Sequence, residues 1–158
     1  MEIIVTKNLI IRNYTDSDIA LLKKLDEENV ENVDETMNLL KDSFNDDLDS
    51  DGEKHFAIEM NGNLIGRLDV NIQKLVIHFS HFILPNYETR QVIQELVINV
   101  VKYLHILYHH RELTTYAERF DLKTRGVLET LGFTRKFLDK EKELYTYSLF
   151  VPNPHKDK

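Results

Sequence analysis

The sequence predicts a single α/β domain, a mixed β-sheet flanked by helices in the order β-α-α-β-β-β-α-β-α-β-β. Three observations carry this. Val92, Ile93, Leu96, Val97, Val100, Val101, Leu104, Leu107 and Tyr108 recur at helical spacing, the longest such run in the chain. Ahead of it, Phe56, Ile58 and Met60, then Leu64, Gly66, Leu68, Val70 and Ile72, alternate on either side of Asn61-Gly62, a two-residue hairpin signal. Behind it, strand-like and helix-like runs alternate within a chain of 158 residues, a length that suits one core. Residues 1–150 form the expected domain, and 151–158, reading VPNPHKDK, a frayed tail.

Taken in order, residues 2–13 are rich in Ile, Val and Leu and read as a strand, with an interruption expected near Lys7-Asn8. Thr15, followed three residues later by Asp18, starts a helix whose apolar face is Ile19, Leu22 and Leu25. Val33, Met37, Leu40 and Phe44, spaced 4, 3 and 4, predict a second helix. The hairpin follows, then a strand over 75–84 with mixed apolar and His/Ser positions, then the long helix. Residues 112–117 read as a strand, and Asp121 caps a helix bearing Val127, Leu128 and Leu131, closed by Gly132. Residues 133–138 and 143–150 supply two last strands.

Composition narrows the chemistry. Twenty Lys and Arg face 27 Asp and Glu, a formal charge of −7, which argues against a general nucleic-acid binder. Residues 26–53 hold twelve carboxylates against one base, Lys41. Cysteine is absent, which removes disulfides, thiolate nucleophiles and Cys-type zinc sites and suits a reducing cytoplasm. No apolar run is long enough for a membrane span, and the first residues lack a secretion-signal pattern. A soluble cytoplasmic protein is the expectation. The five glycines, at 52, 62, 66, 126 and 132, leave the middle of the chain without one.

Four segments carry a family resemblance. LIIRNYTDSDIALL, HFAIEMNGNLIGRLDV, FILPNYETRQVIQEL and RFDLKTRGVLETLGFTR, with the order of elements, resemble the GNAT superfamily of acyl-CoA-dependent N-acetyltransferases. The branch most resembled includes the ribosomal-protein N-terminal acetyltransferases. The resemblance covers nearly the whole chain and implies a GNAT-like fold, acetyl-CoA as co-substrate, no metal, and direct acetyl transfer to an amine. It also implies a homodimer.

By that resemblance, the loop before the long helix seats the cofactor's diphosphate, with the acetyl carbonyl held by backbone amides of Phe82, Ile83 and Leu84. Thr89, Arg90, Gln91, Val92, Ile93 and Gln94 occupy the diphosphate loop and helix start. Asp121 and Thr124 stand near the pantetheine or adenosine end. The family usually has Gln or Arg, then Gly, then Gly or Ala at the positions of Glu88, Gln91 and Ile93. A helix N-terminus offers free N–H groups to an anion, and glycine permits close approach. Gln91 and Ile93 are therefore expected to crowd this space, Glu88 to repel the ligand, and Arg90 to compensate in part. Asp121 reads equally as a helix cap.

Acetyl transfer needs a proton acceptor for the amine. His78 lies where the branch often carries an acid, and His81 is three residues on, on the opposite face of a regular strand. Each also reads as a histidine bonded within the sheet. The family's general-acid tyrosine is replaced by Leu128, with Tyr116 and Tyr87 as substitutes. Two further patterns compete: Asp47-x-Asp49-x-Asp51-Gly52 matches half a calcium loop, and His105 and His109 stand at i, i+4. The acidic segment suits a cationic acceptor, or else is a solvated face. The rival to an enzyme is a GNAT-fold regulatory or interaction module that has lost its cofactor.

Overall fold

A computed structural model describes residues 1–26 and 42–150 of the chain, with side chains of 22–26 left aside. The elements are β1 (Glu2–Val5), β2 (Ile10–Arg12), α1 (Asp16–Asp26), β3 (Gly52–Met60), β4 (Asn63–Ile72), β5 (Val76–Ile83), a 3-10 turn (Pro85–Tyr87), α2 (Arg90–Leu107), β6 (Glu112–Glu118), α3 (Leu122–Thr130), β7 (Thr134–Asp139) and β8 (Leu144–Leu149). Eight strands form one sheet in the order β1-β2-β3-β4-β5-β6-β8-β7. Every neighbouring pair is antiparallel except β5 and β6, which run parallel.

The predicted first strand is two. Thr6 N–H donates to the Leu9 carbonyl, closing a turn, and β1 folds back on β2. Glu95 of α2 holds that turn, accepting from the Thr6 hydroxyl and from Asn8 N–H at 2.8 Å. Burial works to raise the Glu95 carboxyl, but these donors outweigh it and hold its pKa below the ordinary range. The contact joins Thr6 to a residue 89 positions further along the chain, so no local pattern announces it.

Arg12 donates to both oxygens of Asp18 and to Glu59, tying α1 to the sheet. Burial opposes the Asp18 charge, yet the bonds from Arg12 and Thr15 N–H keep its carboxyl below the usual range. Most of the second expected helix lies outside the described residues. Phe44 is described, in a turn, and packs with Leu64 against Tyr14, Ile19 and Ala57.

Asn61 and Gly62 both adopt positive φ, +52° and +81°, the mirror-image turn whose twist matches the strands it joins. The hairpin is not regular beyond it. Met60 faces Asn63 and Glu59 faces Leu64, but Ile58 faces Gly66, so Ile65 is bulged and the register shifts by one.

The pleat then sorts the sheet into two faces. Phe56, Ile58, Leu68, Val70, Ile77 and Phe79 turn to one side, where Ile93, Leu96, Val97, Val100 and Leu104 of α2 cover them. The other side carries a polar carpet of His55, Asp69, Asn71, His78 and Ser80. α3 ends in a Schellman motif, with Phe133 N–H on the Leu128 carbonyl, Gly132 N–H on that of Glu129, and Gly132 at φ +96°.

Candidate active site

Pairing between β5 and β6 is short. Val76, Ile77 and His78 face Glu112, Leu113 and Thr114, and beyond that rung neither strand has a partner on the shared side among the described residues. β5 stays bonded to β4 as far as Ile83 and β6 to β8 as far as Glu118, so the two diverge as two halves of one sheet. Along β5 the amides alternate in direction. Leu84 N–H donates to the Ile65 carbonyl at 2.8 Å, which spends the Leu84 amide on β4. Phe82 shares that direction. Ile83 and His81, one residue out of phase, turn their N–H groups to the gap. Of the amides expected to hold a carbonyl, Ile83 faces the gap while Phe82 and Leu84 face β4, and the His81 amide faces the gap as well.

Gly66 permits this geometry. A Cβ at that position would lie 2.1 Å from the Phe82 carbonyl oxygen, so only glycine lets β4 and β5 approach as they do.

α2 begins at the mouth of the gap. Thr89 caps it, its hydroxyl accepting from Val92 N–H at 3.2 Å, while Ile93 N–H donates to the Thr89 carbonyl. The N–H groups of Arg90 and Gln91 have no protein acceptor among the described residues. Ile93, expected to crowd the site, is fully buried in the core cluster. Gln91 is exposed, as are Thr89, Arg90 and Gln94, and Val92 is half-buried. Two cations stand at the mouth. The Arg90 guanidinium packs over α3, where a Cβ on Gly126 would sit 3.5 Å from Nη1, and Lys123 Nζ donates to the Glu88 carbonyl at 3.1 Å.

At the start of α3 the capping alternative is the observed one. Asp121 accepts from Thr124 N–H at 3.1 Å and from the Thr124 hydroxyl at 2.7 Å, and Thr124 is buried, so its hydroxyl is spent inside the cap. Asp121 also lines an open cavity of about 430 Å³ with Glu88, Glu118, Phe120, Leu122 and Lys123. Three carboxylates there oppose an anion.

His78 and His81 fall on opposite faces, as their spacing requires. His81 pairs with Leu68 and looks to the helix side. Burial lowers its pKa, with the Asp121 charge pulling the other way. His78 looks to the polar side at the last rung before the gap. Its Nδ1 is 2.9 Å from Thr114 Oγ1, its ring packs on Tyr116 with centroids 4.3 Å apart, and burial pushes its pKa down. Its Nε2 is buried without a partner among the described residues. Tyr116 thus lies beside His78, whereas Tyr87 sits in the 3-10 turn and packs against the core.

Sequence reasoning passed over His55. Its Nδ1 is 2.5 Å from Asp69 Oδ1 across β3 and β4, Asp69 Oδ2 accepts from Arg67 at 3.0 Å, and the His55 Nε2 is a second buried ring nitrogen without a partner among the described residues. His55, Asp69, His78 and Ser80 line one cavity of about 200 Å³.

In the acidic loop, Asp47 Oδ1 accepts from Asp49 N–H and the Ser50 hydroxyl, and Asp51 pairs with Arg111 at 3.1 Å, tying the loop to the residue before β6. α2 ends at Leu107, so His105 and His109 share no helical face, and His109 packs on His110. No metal-binding cluster of three donors occurs among the described residues.

A mixed sheet split between two parallel central strands, with a helix N-terminus at the split, is the GNAT acetyltransferase fold, and solved structures bear this out. The chain is similar to a probable acetyltransferase (TM-score 0.77, 16% identity, 95% of this chain and 97% of that one). It is similar to RimL, a ribosomal L7/L12 alpha-N-protein acetyltransferase, in complex with coenzyme A (0.75, 13%, 96% and 98%). It also resembles the Campylobacter jejuni N-acetyltransferase PseH in complex with acetyl coenzyme A (0.68, 22%, 90% and 98%). No family model matches the sequence, and neither does any curated protein.

Proposed function

We propose that this protein transfers an acetyl group from acetyl-CoA to an amine. The observation that carries the reading is the parting of β5 from β6 after His78 and Thr114, with the Ile83 and His81 amides turned into the opening. Neighbours of this fold have been crystallised with coenzyme A or acetyl-CoA, which supports the same ligand class here.

The residues fit such a ligand. Unclaimed N–H groups on Arg90 and Gln91 suit a diphosphate at the helix tip, and Ile93 is packed into the core. Arg90 and Lys123 add positive charge against Glu88. Bound there, acetyl-CoA supplies an activated acyl carbon. Ile83 and His81 N–H would polarise its carbonyl, with His78 the nearest candidate to take the amine's proton and Tyr116 beside it. The amine nitrogen bonds the acyl carbon as the C–S bond breaks. One amine proton goes to the base, and the thiolate leaves with a proton from the medium.

The carboxylates of residues 26–53 favour a cationic acceptor such as a polyamine, a lysine-rich peptide or a protein amine. Thiol release from acetyl-CoA, measured with spermidine and with a lysine-rich peptide, tests the reading. Turnover that His78→Ala lowers by about a hundredfold is expected; no turnover and no acetyl-CoA binding would overturn it. Glu88, Glu118 and Asp121 at the mouth favour a second reading, an interaction module without cofactor. Partner capture by a chain that binds no acetyl-CoA would decide for it.

A further inference from the structure

Two ring nitrogens without a partner among the described residues, His55 Nε2 and His78 Nε2, belong to histidines that line the same cavity on the sheet face opposite α2. Burying a polar atom without a bond costs stability, and two such atoms at one cavity mark a place built to be completed by something else. His78 forms the last rung before β5 and β6 part, so the cavity abuts the opening.

The tautomer of His55 is fixed by its neighbours. Asp69 is an acceptor, so Nδ1 carries the proton it shares with Oδ1, and whenever a single proton is on the ring Nε2 presents a bare lone pair. Arg67, donating to Oδ2, keeps that carboxylate in place. The occupant must then be a hydrogen-bond donor. Glu53 and Asp69 add negative charge, with Asn71 and Ser80 completing a polar wall. Lys54 also borders the cavity, but its ammonium is engaged, donating to Ser50 Oγ at 2.6 Å.

The geometry points to a primary-ammonium site: His55, oriented by Asp69, and His78 accept two N–H bonds from a primary ammonium whose carbon substituent leads out of the cavity. This deepens the acetyl-transfer reading, on which it rests for its purpose, by placing the acceptor. His55 is here a specificity residue, and Asp69 a positioning residue that acts through it.

Ring-nitrogen NMR of the full chain tests this with two probes, n-butylammonium and tetramethylammonium, which share a charge but not N–H donors. n-Butylammonium should shift the His55 and His78 ring nitrogens saturably, and tetramethylammonium should not. In Asp69→Asn, Arg67 holds the amide oxygen and the NH₂ faces His55. The proton then moves to Nε2, visible in the free protein's spectrum, and n-butylammonium should bind at least about tenfold more weakly. His55→Phe should lose binding similarly. Ring nitrogens unmoved by n-butylammonium, an equal response to tetramethylammonium, or undiminished binding in a folded Asp69→Asn would each overturn the site. A parallel acetyl-CoA titration separates the two ideas: amine binding without acetyl-CoA binding leaves the site standing and removes its role in transfer.

Discussion

His78 Nδ1 lies 2.9 Å from the hydroxyl oxygen of Thr114, and these two residues are the last facing pair between β5 and β6. The bond closes the paired part of the sheet and sets which ring nitrogen His78 offers to the cavity. A hydroxyl both donates and accepts, so it satisfies Nδ1 in either tautomer and leaves Nε2 free to exchange a proton.

Thr114→Val keeps the shape and removes that partner. A half-buried Nδ1 would then be unsatisfied, at a cost of about 1–2 kcal/mol. Urea unfolding should show a lower midpoint at an unchanged slope, whereas Thr114→Ser should stay close to wild type.

Both histidines of β5 have pKa values lowered by burial. Below the ordinary value of about 6.5 the unfolded chain binds protons that the folded chain refuses, so stability present at neutral pH is lost as the pH falls. Melting temperatures taken between pH 7.5 and 5 should decline, and the decline should be shallower in the His78→Gln/His81→Gln double variant.

Gly66→Ala would set a methyl carbon 2.1 Å from the Phe82 carbonyl oxygen, a backbone atom that cannot rotate aside. β4 and β5 must separate, at a cost of about 2 kcal/mol or more. Calorimetry should show the loss, and the Ile83 amide should shift in NMR spectra.

Asp121 stabilises the first turn of α3 through Thr124, so Asp121→Ala should cost about 1 kcal/mol and Asp121→Asn much less. If Asp121 repels an anionic ligand at the mouth, the Asn variant should also bind acetyl-CoA more tightly than wild type.

Much of this fold was legible in short-range pattern: the helical run of α2, the Asn61-Gly62 turn, the Asp121 cap, and the opposed faces of His78 and His81. What escaped depends on register or on distant contacts. From the turn alone, Glu59 facing Leu64 would put His55 opposite Leu68, with the two pointing into the core. The bulge at Ile65 shifts the pairing by one, and His55 meets Asp69 on the polar face instead. Gly66 beside the bulge was the available clue. Ile93, matched to a loop glycine and expected to crowd the site, lies in the core, on the helical phase it shares with Leu96, Val97 and Val100.

The central claim is that the opening between β5 and β6, with the tip of α2, seats acetyl-CoA. Backbone-amide NMR during an acetyl-CoA titration tests this most directly. The account predicts saturable shifts concentrated on His81, Ile83, Arg90 and Gln91. A spectrum unchanged at high ligand concentration, or shifts that leave those four amides untouched, would contradict it.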